Sequence, residues 1–279
     1  MEVSEYPAPA KLNLCLYLGR TREDGLHELC SLFEPLALAD LIAVAAAERD
    51  EVVCPGVEGE NLAARALAEL RAAGWGREPL RIEIEKRVPV AAGLGGGSGD
   101  AAAVLRLAAG EVAELPAIAA RLGADVPSQL RPALALVRGA GESVEPLPAP
   151  AEHAAVLLPD GGGLSTADVF AEADRLGVGR ERAELDEIAA RLRAVAGAGA
   201  SPLAYPELLV NDLEVPARSL RPAIGDALEA LREAGAPLAI LSGSGPTAVG
   251  LFPDLTSARG AAAALGREDA IVCAAGVAP

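Results

Sequence analysis

Residues 89–110, P-V-A-A-G-L-G-G-G-S-G-D-A-A-A-V-L-R-L-A-A-G, restrict this chain more than any other stretch. An apolar entry of Pro89, Val90, Ala91 and Ala92 leads into Gly93, Leu94, Gly95, Gly96, Gly97, Ser98 and Gly99. An alanine-rich helix is predicted to follow without a break, over 98–109. Glycines let a backbone turn tightly and come close to a ligand. The start of a helix adds unpaired N–H groups and roughly half a positive charge from its aligned peptide dipoles. Together they form a cradle for phosphate, with the Ser98 hydroxyl at its rim. An ordinary turn is the plainer alternative. The stretch is not a P-loop, which ends in G-K-[ST], because 89–110 contains no lysine. A dinucleotide fingerprint through Gly97, Gly99 and Ala102 would need an acidic residue closing the next strand, whereas Glu111 and Glu114 fall in a helix connection.

A net charge of −16 argues against nucleic acid or an anionic membrane as partner. It also gives a phosphate ligand no help from the overall field, which salt screens beyond about 8 Å. Local donors must do the binding. Cys15, Cys30, Cys54 and Cys273 show no metal-binding spacing and read as reduced thiols of a cytoplasmic protein. The acidic start M-E-V-S-E-Y-P is not a signal peptide. No uncharged apolar run reaches the roughly 18 residues of a membrane span. Nearly every basic residue is Arg; the lysines are Lys11 and Lys86. A retained lysine marks a position wanting a compact ammonium rather than a planar fork. We apply that argument to Lys11 and read Lys86 as chance.

Alternation over 11–18 predicts a strand with Leu12, Leu14, Leu16 and Leu18 on one face and Lys11, Asn13, Cys15 and Tyr17 on the other. Further strands are predicted at 29–37, 41–46, 52–54, 80–86, 133–138 and 143–147. Helices are predicted at 61–73, with Asn61 as N-cap, and at 114–121. The proline-rich 146–151 marks a boundary, giving domains 1–148 and 149–279. The second half reads as strands at 154–158, 237–241, 247–252 and 270–274. Its helices fall at 166–175, 181–196, 216–234 and 255–266, and G-A-G-A-S-P at 197–202 reads as a flexible joint. His153 reads as structural or exposed. Mixed strands and helices in both halves predict an α+β fold with two domains.

Three segments stand in order: P-A-K-L-N-L, the central glycine stretch, and L-S-G-S-G-P-T. Their order resembles the GHMP kinase superfamily of small-molecule kinases. L-G-R-T-R-E-D-G-L-H-E-L, L-G-A-D-V-P, G-A-G-E-S-V-E-P-L and N-D-L-E narrow the likeness to members acting on a cytidine-diphosphate-linked methylerythritol. The resemblance implies a ribosomal-protein-S5-like N-terminal domain that binds ATP on Pro89–Gly99 and a ferredoxin-like C-terminal domain closing the substrate cleft. It implies transfer of the γ-phosphoryl of ATP, arriving with Mg²⁺, to the 2-hydroxyl of the methylerythritol unit in isoprenoid biosynthesis. No protein ligand for the metal stands out. A monomer or weak homodimer is expected. Another alcohol acceptor, or a non-catalytic nucleotide-binding relative, are the alternatives.

By the same resemblance Lys11 and Asp125 are the catalytic pair. Asp125 is the candidate base, although D-V-P-S taken alone reads as a helix start capped by Asp. Asn13, His27, Thr166 and Phe170 fall at substrate-binding positions, with His27 set to bond the cytosine and Phe170 to stack on it. Ser242, Gly243, Ser244 and Gly245 form either a β-turn or an N–H nest near phosphate. The chain departs from the family pattern at Leu26, where an aromatic is usual, and at Gly99-Asp100, where Ser-Asn is common. A carboxylate at Asp100 would repel phosphate unless a cation intervenes.

Overall fold

Alternating side chains carry β1 (Ser4–Thr21) antiparallel along β2 (His27–Ala46) in the computed structural model, which describes residues 3–276. Residues 1–2 of the acidic start and 277–279 of the second expected domain lie outside the described residues. Register shifts at Pro9/Lys11 and Asn13/Cys15 interrupt the strict alternation of β1. Both of its faces are buried, so the polar face expected of Lys11, Asn13, Cys15 and Tyr17 is enclosed rather than solvated.

The two strands expected at 29–37 and 41–46 are one strand of 20 residues. Its interior Asp40 does not end it, because that carboxylate accepts hydrogen bonds from Lys86 and from the amides of Arg87 and Val88. Next come β3 (Glu51–Val53), α1 (Leu62–Ala72), β4 (Leu80–Glu85), α2 (Gly96–Arg106), α3 (Leu115–Leu122) and α4 (Val126–Gln129). β5 (Ala135–Gly139) and β6 (Ser143–Pro146) complete this sheet, in the order β3-β4-β2-β5-β6 with β1 also on β2. Asn61 caps α1, its side chain accepting from the Ala63 amide at 2.8 Å. Alanines 101–103 are fully enclosed, which lets α2 lie close to β1 and α1.

The second sheet contains β7 (Ala154–Leu158), followed by α5 (Thr166–Leu176), α6 (Arg182–Ala196), α7 (Glu214–Leu220) and α8 (Ala223–Glu233). It continues with β8 (Leu238–Leu241), β9 (Ala248–Phe252), α9 (Leu255–Leu265) and β10 (Ile271–Ala274). Its order β10-β7-β9-β8, all antiparallel, is ferredoxin-like. The helix expected at 216–234 is two, since Pro222 lacks the N–H that would continue the first. The expected joint at 197–202 leads into a short 3₁₀ turn, Pro202–Ala204. No helix is long and apolar enough to cross a membrane among the described residues.

One core runs through both sheets. Leu12, Leu14, Leu32, Leu36 and Leu136 of the first meet Ala155, Leu157, Val249 and Leu251 of the second, with Leu185 and Leu192 of α6. Burial on this scale fixes how the two halves face each other. It also encloses a charge pair that sequence reading missed. His153 is 2% exposed and Glu34 is 1% exposed. His153 Nε2 lies 2.9 Å from Glu34 Oε2, and Nδ1 lies 2.9 Å from the Ala151 carbonyl. Two acceptors facing two ring nitrogens require an imidazolium. Burial pulls this imidazole down, but the bond to Glu34 outweighs it and holds the group above its ordinary value.

Removing His153 leaves a buried carboxylate without its cation, so His153→Ala is expected to cost about 3–5 kcal/mol. The sign follows from linkage. A group raised on folding gives its full contribution below its unfolded value of about 6.5, and loses it as pH rises through the higher folded value. Urea denaturation of wild type and variant from pH 6 to 9 should show the gap narrowing with pH. A gap of about 0.5 kcal/mol at pH 6, typical of surface changes, would refute the tie.

Candidate active site

The glycine stretch folds as expected into a loop and helix start, but its glycines answer first to the protein itself. Gly93 has φ +74°, and a Cβ there would lie 2.6 Å from the Ser242 carbonyl oxygen and 2.7 Å from that of Gly245. The Ser242 hydroxyl donates to the Gly93 carbonyl at 3.0 Å. The phosphate-type loop of the first half is therefore locked onto the third motif of the second. Gly95, at φ +67°, is the N-cap of α2, and a Cβ there would strike Lys11 Cγ at 2.8 Å. Gly99 likewise leaves no room for a side chain: a Cβ would stand 2.8 Å from the Pro9 carbonyl oxygen.

No side chain caps α2. Its first amides are thus left for a ligand, at the positive end of the helix dipole. They open on a cleft of about 530 Å³ lined by Pro89–Ser98, with Cys54, Asn61, Leu62, Lys86 and Asp100 also in its wall. Here Lys86, read as chance, proves to be a built feature. Its ammonium bonds both Asp40 and Asp100, the latter at 2.9 Å. Lysine thus supplies the cation that the Asp100 departure called for. Burial alone would lower this ammonium, but Asp100 and Asp40 raise it.

Lys11 enters from β1, its amide bonded to the Leu94 carbonyl at 2.8 Å. Its Nζ lies 3.2 Å from Asp125 Oδ2, donates to Asn13 Oδ1 at 2.5 Å, and stands 4.8 Å from the Phe33 ring centroid. Asp125 precedes α4 but makes no capping bond with its side chain, so the capping alternative falls. Its carboxylate is turned to Lys11 instead and remains 30% exposed. Asn13, expected at the substrate, is 1% exposed and engaged at both ends of its amide, since Nδ2 donates to the Ser31 hydroxyl at 3.0 Å. It orients Lys11.

From the ammonium a continuous wall leads outward. A Cβ on Gly243 would lie 3.0 Å from Asn13 Oδ1 and 3.6 Å from Lys11 Nζ. Asn211, in the N-D-L-E segment, fixes that turn by donating to the Leu241 and Gly243 carbonyls, both at 2.8 Å. The next residue, Ser244, bonds Thr166 at 2.9 Å. One helical turn along α5, Phe170 faces His27 with ring centroids 5.0 Å apart. His27 Nε2 lies 2.8 Å from Asp174 Oδ1, a partner with no sequence signal. Leu26, beside it, is exposed. Lys11, Gly243, Ser244, Thr166, Phe170 and His27 thus follow one another by contact, and Gly95 of the glycine loop packs on the Lys11 stem. Such an arrangement can place a triphosphate beside an ammonium–carboxylate pair and hold an elongated acceptor along the wall.

The families described as "GHMP kinases N terminal domain" and "GHMP kinases C terminal" match residues 61–130 and 204–271. The chain is similar to 4-diphosphocytidyl-2-C-methyl-D-erythritol kinase of Anaeromyxobacter dehalogenans, with 41% identity over 92% of this chain and 83% of the relative. Its likeness to the enzyme of the same name from Methylorubrum extorquens is 42% identity over 95% of each. A crystal structure of 4-(cytidine 5'-diphospho)-2C-methyl-D-erythritol kinase superposes with a TM-score of 0.80 at 37% identity, covering 99% of this chain and all of that one.

Proposed function

Because the chain belongs to the GHMP kinases, in the family of 4-diphosphocytidyl-2-C-methyl-D-erythritol kinases, we propose that it moves the γ-phosphoryl of ATP onto the 2-hydroxyl of that cytidine-linked alcohol, as a step of isoprenoid biosynthesis. The observation that carries the chemistry is the 3.2 Å contact of Lys11 with Asp125 at the inner end of the wall, where the Lys11 amide is bonded to the loop. Phosphoryl transfer asks mainly for positioning and for charge around the moving group. The amides at the start of α2 hold the phosphates, and Lys11 neutralises charge on the γ-phosphoryl. Asp125 accepts the proton of the attacking hydroxyl. The new P–O bond forms to that oxygen as the bond to the β-phosphate oxygen breaks, leaving ADP.

Phe170, His27 and exposed Leu26 receive the cytosine at the outer end. Thr166 and Ser244 flank the middle of the path. Among the described residues no three His, Cys, Asp or Glu side chains gather as a metal nest. Mg²⁺ arriving with ATP would be held mainly by the phosphates and water, and no step is routed through it. A cytoplasmic monomer or weak dimer working without nucleic acid or membrane completes the reading.

A coupled ADP-release assay across candidate alcohols tests it. Turnover should be highest with the cytidine-diphosphate-linked methylerythritol. Equal or better turnover of mevalonate or homoserine would remove this acceptor and leave a kinase of another specificity.

A further inference from the structure

Two carboxylates share one ammonium in the wall of the nucleotide cleft, and they are not equally served. Asp40 has its oxygens taken by three donors: Lys86, the Arg87 amide at 2.6 Å and the Val88 amide at 2.8 Å. Among the described residues Asp100 has a single donor, Lys86, on Oδ2. Its Oδ1 is sealed from solvent and has no partner among them, although the residue lines the cleft. If both acids are ionised, the trio carries a net negative charge next to the amides that cradle phosphate, with one buried oxygen lacking a donor. That is a costly state. A proton on Asp100 makes the trio neutral and relieves the cost of a buried ionised oxygen.

Resting on the nucleotide reading of the glycine loop, we propose that Asp100 takes up a proton from solvent when nucleotide binds, cancelling the net negative charge of the trio beside the bound phosphates. An amide at this position is uncharged at every pH. The carboxyl is uncharged only when protonated, so this chain ties its nucleotide affinity to pH.

The neighbouring groups leave Asp100 as the one that changes. Burial raises its carboxyl to about 7 against the pull of Lys86, and the facing Asp40 carboxylate adds to the rise. Lys86 itself is raised by its two acids and stays an ammonium. Near the trio, burial pushes the Cys54 thiol up, so it stays neutral. Glu60 lies at the cleft lip, and Lys11 and Asp125 pair with each other beyond Gly95.

Calorimetric titration of ADP with Mg²⁺ at pH 8, in buffers of different ionisation enthalpy, reads the proton directly. Wild type should take up about 0.5–1 proton per ADP, with Kd rising up to about tenfold per pH unit above neutrality. Asp100→Asn should show no such uptake and a flat profile, and subtracting its heats removes ADP's own titration. Should that variant fail to fold, the wild-type heats still decide. ADP binding by wild type with no net uptake, or uptake that survives in Asp100→Asn, would overturn the proposal alone. No ADP binding by folded wild type would overturn the nucleotide reading and the proposal with it.

Discussion

Lys11→Met should lower kcat by about 10³-fold while ADP binding changes little, because it removes a charged donor aimed at the transferring group. Methionine matches the lysine stem that packs over Gly95 and beneath Phe33, so the loop keeps its shape. What is lost is the ammonium alone, and with it the partner of Asp125 and the donor to Asn13. Arginine should not restore activity. Its planar fork is larger, and the space between Gly95, Gly243 and Asn13 is already at contact distance. Steady-state kinetics together with ADP titration separate the two effects. A variant that keeps more than about a tenth of wild-type kcat would place Lys11 outside the chemistry, since a single positioned donor is worth more than that.

The parts of this site legible in the sequence are those written locally. The glycine run, the alternating strand that carries Lys11, and the third motif each announce themselves within a short stretch of chain. What they hold against each other is not local. The lock between Gly93 and Ser242 spans 149 positions, and the pair of His153 with Glu34 spans 119. No periodicity argument reaches that far. Asp40 illustrates the cost: an acid in mid-strand reads as a break until Lys86, 46 residues on, supplies its partner. Lysine rarity is read as chance at Lys86, and only the fold shows two carboxylates waiting for it. Pro222 is the opposite case, a local signal that the expected long helix ran across.

Asp125→Asn should cut kcat by about 10²–10⁴-fold, the range of general-base contributions, with ADP affinity nearly unchanged. Asparagine is close in size and can still accept from Lys11, so the 3.2 Å contact and the α4 start can persist. It cannot take the proton of the attacking hydroxyl at neutral pH. The structure sharpens this test by removing the rival role. The Asp125 side chain makes no cap bond to α4, so any stability cost of the substitution comes from its half-open ion pair with Lys11 and not from the helix end. A cap residue would behave the other way, costing about 1 kcal/mol of stability and little activity. Kinetics and urea denaturation on one preparation therefore give opposite signatures for the two roles. Near-normal turnover with a lowered midpoint would return Asp125 to the cap and leave the hydroxyl proton without an acceptor in this site.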